Sequence, residues 1–201
     1  MTPQKRVIGL TGGIATGKST VSKYLAKQYQ IPVFDADVYA REAVQMETQV
    51  YQAIVRRYGN DILLSDRTLN RQQLGDIIFN NPDERSWLEQ QIHPDVRNRL
   101  IAAVANSPQQ TIVLVVPLLF EAKMTDLVTE IWVVYCSLQQ QITRLMQRNH
   151  LTLVQAKARI ASQMPLQQKC ARADVILDNS STLAALLAQV DCATQARNCR
   201  D

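Results

Sequence analysis

The sequence predicts an α/β fold in which a parallel sheet is flanked by helices. Short runs rich in Val and Ile recur along the chain as buried strands do, and amphipathic helical patterns lie between them. Two helical stretches interrupt the alternation, as lobes grafted onto such a core do.

Arg6 to Thr11 is apolar and runs into glycines, the pattern of a buried parallel strand. A helix follows from Lys18, with Val21, Tyr24, Leu25 and Gln28 at helical spacing. Ile31 to Phe34 is a second strand, ending at Asp35. One long helix is expected from about Asp37 to Tyr58, stopped by Gly59. Asn81-Pro82-Asp83-Glu84 supplies a cap, a proline at the first helical position and an acid at the third, so a helix starts there. Another is expected to begin near Pro94 and end by Ser107. Thr111 to Val116 and Ile131 to Tyr135 are strands. Helices follow from Leu138 and from Thr152, where Gln155 completes a capping box. Val175 to Leu177 is a last strand, and Leu183, Leu186, Leu187 and Val190 mark a closing helix. The expected core is therefore residues 1–37, 108–145 and 173–201, with a helical lobe at 38–107 and a basic helical insertion at 146–172.

A chain of 201 residues, 46% hydrophobic and 20% charged, suits one folded globular unit. The longest apolar run, Ile112 to Phe120, is too short to span a bilayer and is broken by Pro117. The first residues carry no signal-peptide pattern, and disorder is expected only after about Ala196. Cys136, Cys170, Cys192 and Cys199 have no metal-site spacing and read as reduced thiols of a cytoplasmic protein. Net charge is +4, but no Asp or Glu falls between Ile131 and Ala173, where Arg144, Arg148, Lys157, Arg159, Lys169 and Arg172 gather. Such a stretch is either a solvated face or an anion-binding element. Without an aromatic stacking set it favours a polyphosphate over nucleic acid. No membrane partner is expected, and a monomer is plausible.

Gly12-Gly13-Ile14-Ala15-Thr16-Gly17-Lys18-Ser19 matches G-x-x-x-x-G-K-[ST], between a predicted strand and a predicted helix. Glycines let the backbone curl so that N–H groups point at phosphate oxygens, and the helix N-terminus adds partial positive charge. Lys18 supplies a charge to the β- and γ-phosphates and the Ser19 hydroxyl a ligand for Mg²⁺. The loop from Gly12 to Thr20 is thus the expected ATP site on a P-loop NTPase core. The guanine-reading N-K-x-D is missing, and Thr111 to Val116 runs into Pro117 rather than a terminal Asp, so a small-molecule kinase fits best.

Asp35 and Asp37 lie at the junction of the second strand and the following helix. If that strand neighbours the first, the junction lies beside the γ-phosphate. One acid can then accept the proton of an attacking hydroxyl, and both can hold Mg²⁺ through water. The other reading is a helix cap; Asp37 is favoured as the base.

With those residues in place, the chain resembles the dephospho-CoA kinase family over nearly its whole length. The resemblance rests on Ile8 to Ile14, Asp35-Ala36-Asp37-Val38 with Arg41, and Leu69-Asn70-Arg71 with Leu74 and Ile78-Phe79. It extends through His93-Pro94-Asp95-Val96-Arg97, Pro117-Leu118-Leu119-Phe120-Glu121, and Gln141, Arg144, Arg148, Arg159-Ile160 and Gln163. It implies an ATP core, a helical acceptor lobe and a helical lid, with ATP and dephospho-CoA as substrates. It further implies transfer to the ribose 3′-hydroxyl, the last step of coenzyme A synthesis. Asp37 would be the base, with Asp35, Arg41, His93 and Arg97 around the acceptor. Arg148 would reach the transferring phosphoryl, and Arg144 and Asn179 would lie at the ATP site. The sequence departs at Ala15-Thr16, where Gly-Ser is usual, at Asn149, where Asp is common, and at Ser181, where a glycine is often found. A nucleoside or nucleoside-monophosphate kinase, and a non-catalytic ATP-binding regulator, are the alternative readings.

Overall fold

The computed structural model describes residues 5–196. Cys199 and the disorder expected after Ala196 lie outside the described residues, as do the first four. In chain order the elements are β1 (Arg6–Gly12), α1 (Lys18–Tyr29), β2 (Val33–Asp35), α2 (Ala36–Ala43), α3 (Gln49–Tyr58), α4 (Arg71–Asn80) and α5 (Pro82–Asn106). Then come β3 (Thr111–Val115), β4 (Glu130–Tyr135), α6 (Leu138–Asn149), α7 (Leu153–Ala161), α8 (Leu166–Cys170), β5 (Val175–Asp178) and α9 (Leu183–Gln195). The described residues up to Asp35 and from Asn106 onward form one compact unit, and Ala36–Ala105 form another.

In the first unit five parallel strands are ordered β2-β3-β1-β4-β5. The second strand therefore does not neighbour the first, so the condition that would set the acidic pair directly beside the first loop is not met. β3 lies between them, with Leu10, Val115 and Asp35 in one register row. Asp35 thus closes β2 at the same sheet edge as the glycine-rich loop, about 10 Å across from β1 at ordinary strand spacing. The middles of β1, β3 and β4 are apolar and buried, as central strands of a parallel sheet covered on both faces are. On one face Ile8, Leu10, Val113, Val115, Trp132, Val134 and Leu177 pack on Val21 and Leu25 of α1 and on Leu186 and Val190 of α9. The Arg6 guanidinium closes the far end of this core. Its Nε donates to Glu130 Oε1 at 2.5 Å, and its Nη atoms donate to the Thr194 and Ala193 carbonyls of α9 at 2.9 and 3.0 Å.

The second unit corrects two expectations. The single helix expected over 37–58 is two, because Thr48 both stops α2 and starts α3. Its hydroxyl donates to the Ala43 carbonyl at 2.6 Å and accepts from Tyr51 N–H at 3.1 Å, after Glu47 takes φ 70°. Conversely, the helices expected from Asn81 and Pro94 are one, the 25-residue α5 with Pro94 inside it. An interior proline costs roughly 3 kcal/mol. Here Leu88, Ile92, Val96 and Leu100 recur every fourth residue and are buried or half-buried across that point, so continuous packing outweighs the missing bond.

Asn81 caps α5 as expected, its side chain accepting from Asp83 and Glu84 N–H. Glu84 does not reach back to complete the box. It accepts from Arg57 Nε and Nη2 at 2.6 and 2.8 Å and from the Tyr58 hydroxyl at 2.5 Å, while Arg57 lies 4.5 Å from the centre of the Trp87 ring. The bonds from Arg57, then Tyr58, hold the Glu84 carboxyl down at about 2. A depressed carboxyl stabilises the fold above its unfolded value of about 4.3 and loses that contribution as pH falls toward 2. Glu84→Gln is therefore expected to flatten the acid limb of the stability–pH curve between roughly pH 5 and 2. Acid titrations followed by Trp87 fluorescence test this, and an unchanged acid limb contradicts it.

Candidate functional site

The loop between β1 and α1 owes its shape to a few positions. Gly12 has φ 147°, and a Cβ there would lie 2.5 Å from the Val134 carbonyl oxygen, so only glycine lets β1 leave the sheet so close to β4. Gly17 has φ 105°, and its missing side chain leaves the place that Asn179 Nδ2 fills. Ala15, where the sequence departs from the resemblance, takes φ 60°. A left-handed alanine costs roughly 1–2 kcal/mol. Its methyl and Ile14 pack against Ile142, Leu145 and Ala156, which offsets part of that cost and seats the loop tip on α6 and α7.

Lys18 curls back over the loop, its Nζ donating to the carbonyls of Gly12 at 3.1 Å and Gly13 at 2.8 Å. Thr16 Oγ1 braces the same turn on the Gly13 carbonyl at 2.9 Å. The N-terminus of α1 has no capping side chain and no acid in its first turn. Its N–H groups and partial positive charge are thus left for an anion. Ser19 is exposed on that first turn, and Thr20 follows half-buried.

Of two residues that the resemblance assigns to ATP, Asn179 bonds the loop and Arg144 bonds Asn179. Asn179 Nδ2 donates to the Thr16 carbonyl at 2.8 Å, and Arg144 Nη2 donates to the Asn179 carbonyl at 3.0 Å. The glycine often found after this asparagine is not needed here. Asn179, Ser180 and Ser181 all keep negative φ, because Asp178 accepts from Ser180 N–H at 2.8 Å and Gln140 donates to the Ser180 carbonyl at 2.8 Å. Arg148 is not brought to the loop. It is exposed near the end of α6, with Nε bonded to Asn149 Oδ1 at 2.9 Å.

The basic stretch also divides. Lys157 and Arg159 are exposed on α7, whereas Lys169 is fully buried and so belongs neither to a solvated face nor to an anion-facing one. Cys136 is buried and Cys170 half-buried, and burial pushes both thiols up; Cys192 is exposed, and all three are unpaired.

In the second unit Asp37 stands inside the first turn of α2. A residue there is past the cap position, so Asp35, just before Ala36, holds the place the capping reading requires. An acid in a first turn is favoured by the helix dipole. Arg41 is in the last turn of α2, and His93 and Arg97 lie four residues apart on α5, hence on one face. Arg99 ties the two helices, donating to Glu42 Oε2 at 3.0 Å and to Asp95 Oδ2 at 2.6 Å. Arg71 Nη2 donates to the Arg41 carbonyl at 3.2 Å, fixing the end of α2 from α4.

Thr11 and Gln141, both among the residues that carry the resemblance, also shape the loop. Thr11 Oγ1 donates to the Pro117 carbonyl at 3.2 Å, and Gln141 and Gly13 both line a cavity of about 350 Å³. Among the described residues, no cluster of three His, Cys, Asp or Glu side chains could hold a metal alone, and no helix is long and apolar enough to cross a membrane.

Residues 6–185 match the family model described as dephospho-CoA kinase. The dephospho-CoA kinase of Trichormus variabilis is 61% identical over 94% of this chain and 96% of its own length. Among solved structures, a Thermus thermophilus protein superposes with TM-score 0.82 at 29% identity, covering 96% of this chain and 98% of that one. Dephospho-CoA kinase from Campylobacter jejuni gives 0.70 at 26% identity, covering 95% and 96%. A match of this extent, on a sheet whose first loop carries the phosphate-binding motif, shows that the chain belongs to the dephospho-CoA kinase family.

Proposed function

We propose that this chain transfers the γ-phosphoryl group of ATP to the ribose 3′-hydroxyl of dephospho-CoA, giving coenzyme A and ADP. The single observation that carries this is the loop from Gly12 to Thr20, with Lys18 over its mouth and an uncapped helix behind it, in a chain that belongs to this family. Residues 38–107 act as the acceptor lobe and 146–172 as the lid.

The loop N–H groups and Lys18 bind and orient the β- and γ-phosphates, while Arg144 and Asn179 hold the purine side of the loop in place. Arg41, His93 and Arg97, with Asp35, position the acceptor, and Asp37 accepts the proton of the attacking hydroxyl. Mg²⁺ fits this residue set. It dehydrates reluctantly and is commonly held by phosphates and water with one or two protein oxygens, so the exposed Ser19 hydroxyl suffices as the protein ligand. When bound, it neutralises charge on the phosphates. The setting is cytoplasmic.

Arg148 reaches the transferring phosphoryl by leaving Asn149 as the lid closes. Arg148→Lys keeps the charge but loses the planar fork. Losing one charge-assisted bond, roughly 1.5 kcal/mol, should lower kcat about tenfold. ATP affinity should change far less. Steady-state kinetics beside ATP titration check this, and a wild-type kcat in Arg148→Ala would place the arginine on a solvated face.

The function itself is tested by a coupled ADP-release assay with dephospho-CoA, AMP, nucleosides and no acceptor. Release that depends on dephospho-CoA is the expected result. Equal or greater release with AMP or a nucleoside favours a nucleotide kinase, and binding without turnover favours a regulator.

A further inference from the structure

Lys169 carries a charge into the interior with no contact to solvent. A buried ion pair is weak support for stability, since an apolar pair of similar volume often does as well or better. The placement of its partners gives the charge another use. Lys169 Nζ donates to the Pro117 carbonyl at 2.8 Å and to Glu121 Oε1 at 2.9 Å. The Pro117 carbonyl is the oxygen that also accepts from Thr11 Oγ1, and Thr11 is fully buried immediately before Gly12. Glu121 Oε1 accepts in addition from Met164 N–H at 2.9 Å, in the turn between α7 and α8. Burial alone would push the Glu121 carboxyl up, but the bonds from Lys169 and Met164 outweigh it and hold it below its usual range. Its second oxygen, Oε2, is buried without a partner, so Lys169 is what compensates this charge.

We propose that Lys169 is a positioning residue for the phosphate loop: through the Pro117 carbonyl it fixes Thr11, and so the Gly12 and Gly13 carbonyls on which Lys18 rests. This rests on the loop being the nucleotide site. The carbonyl has two lone pairs and receives two donors, one from the strand that enters the loop and one from α8. Removing the α8 donor leaves Glu121 uncompensated and frees Pro117 to move with Thr11. The Arg172 guanidinium, 4.2 Å from the centre of the Phe120 ring, packs α8 onto the same turn beside Lys169.

Three variants separate positioning from mere support. Lys169→Met leaves a buried carboxylate and should lower the melting temperature. The double variant Lys169→Met with Glu121→Gln removes both charges while keeping an acceptor for Met164 N–H. It is expected to regain most of that loss yet bind a fluorescent ATP analogue about tenfold more weakly, the scale of coupling through such a network. KM for ATP should rise with it, while KM for dephospho-CoA stays unchanged. Thr11→Val should weaken the analogue similarly, and adding it to the double variant should cost little more. A double variant of near-wild-type melting temperature and wild-type analogue affinity would overturn the proposal, as would strictly additive losses with Thr11→Val. Analogue binding needs no acceptor, so a wrong acceptor assignment leaves this test standing.

Discussion

Asp37→Asn is expected to bind ATP and dephospho-CoA nearly as the wild type does and to lose roughly 10²–10⁴ in kcat, the usual share of a positioned acid–base group. Asparagine keeps the shape of the side chain but cannot take the proton of the ribose hydroxyl. Because Asp37 lies within the first turn of α2 rather than at its cap, the substitution leaves the cap position of the helix untouched. Asp35→Asn should instead weaken metal dependence or substrate positioning, with a smaller loss at saturating Mg²⁺. Calorimetric titration of both ligands beside single-turnover rates decides between them. Wild-type single-turnover rates in Asp37→Asn with slow rates in Asp35→Asn would reverse the two roles. Unchanged rates in both would leave the pair with only local structure to explain it.

Lys18→Ala should lower turnover by roughly 10²–10³, the cost of removing a charge contact made in the transition state. The variant also loses the two bonds to the Gly12 and Gly13 carbonyls, so ATP affinity should fall as well. The fold should survive, because α1 is held to the sheet by Val21 and Leu25, both fully buried. Circular dichroism and a melting curve establish folding before kinetics are compared. A folded Lys18→Ala protein with near-normal turnover would remove the loop from the chemistry.

What was legible in the sequence was what local pattern encodes. Buried parallel strands appear as continuous apolar runs, and all five strands lie where such runs predict them. The Thr152–Gln155 box starts α7 as its residues require, and the phosphate loop is a contiguous motif. What escaped depends on residues distant in sequence or on one side chain serving two helices. The place of β3 between β1 and β2 is a long-range pairing that no single segment reports. The break before α3 hangs on the Thr48 hydroxyl, and the passage of α5 through Pro94 on packing within the second unit. Glu84 has the spacing of a capping acid, but an arginine 27 positions earlier claims it. Lys169 looks like one basic residue among many until Pro117 and Glu121, some 50 positions away, are seen to bury it. At the site, Asn179 had only a resemblance to recommend it and Arg144 a place in the basic stretch besides; their bonds to each other and to Thr16 join segments far apart in sequence.

Where the phosphoryl group goes decides the activity most directly. Incubating the protein with ATP, Mg²⁺ and dephospho-CoA, then following the mixture by ³¹P NMR, distinguishes a new ribose phosphomonoester from free phosphate. The expected result is one 3′-phosphomonoester formed per ADP, removed by a 3′-nucleotidase to regenerate dephospho-CoA. A phosphate on any other atom of the acceptor, or ADP formed with only inorganic phosphate beside it, would contradict it.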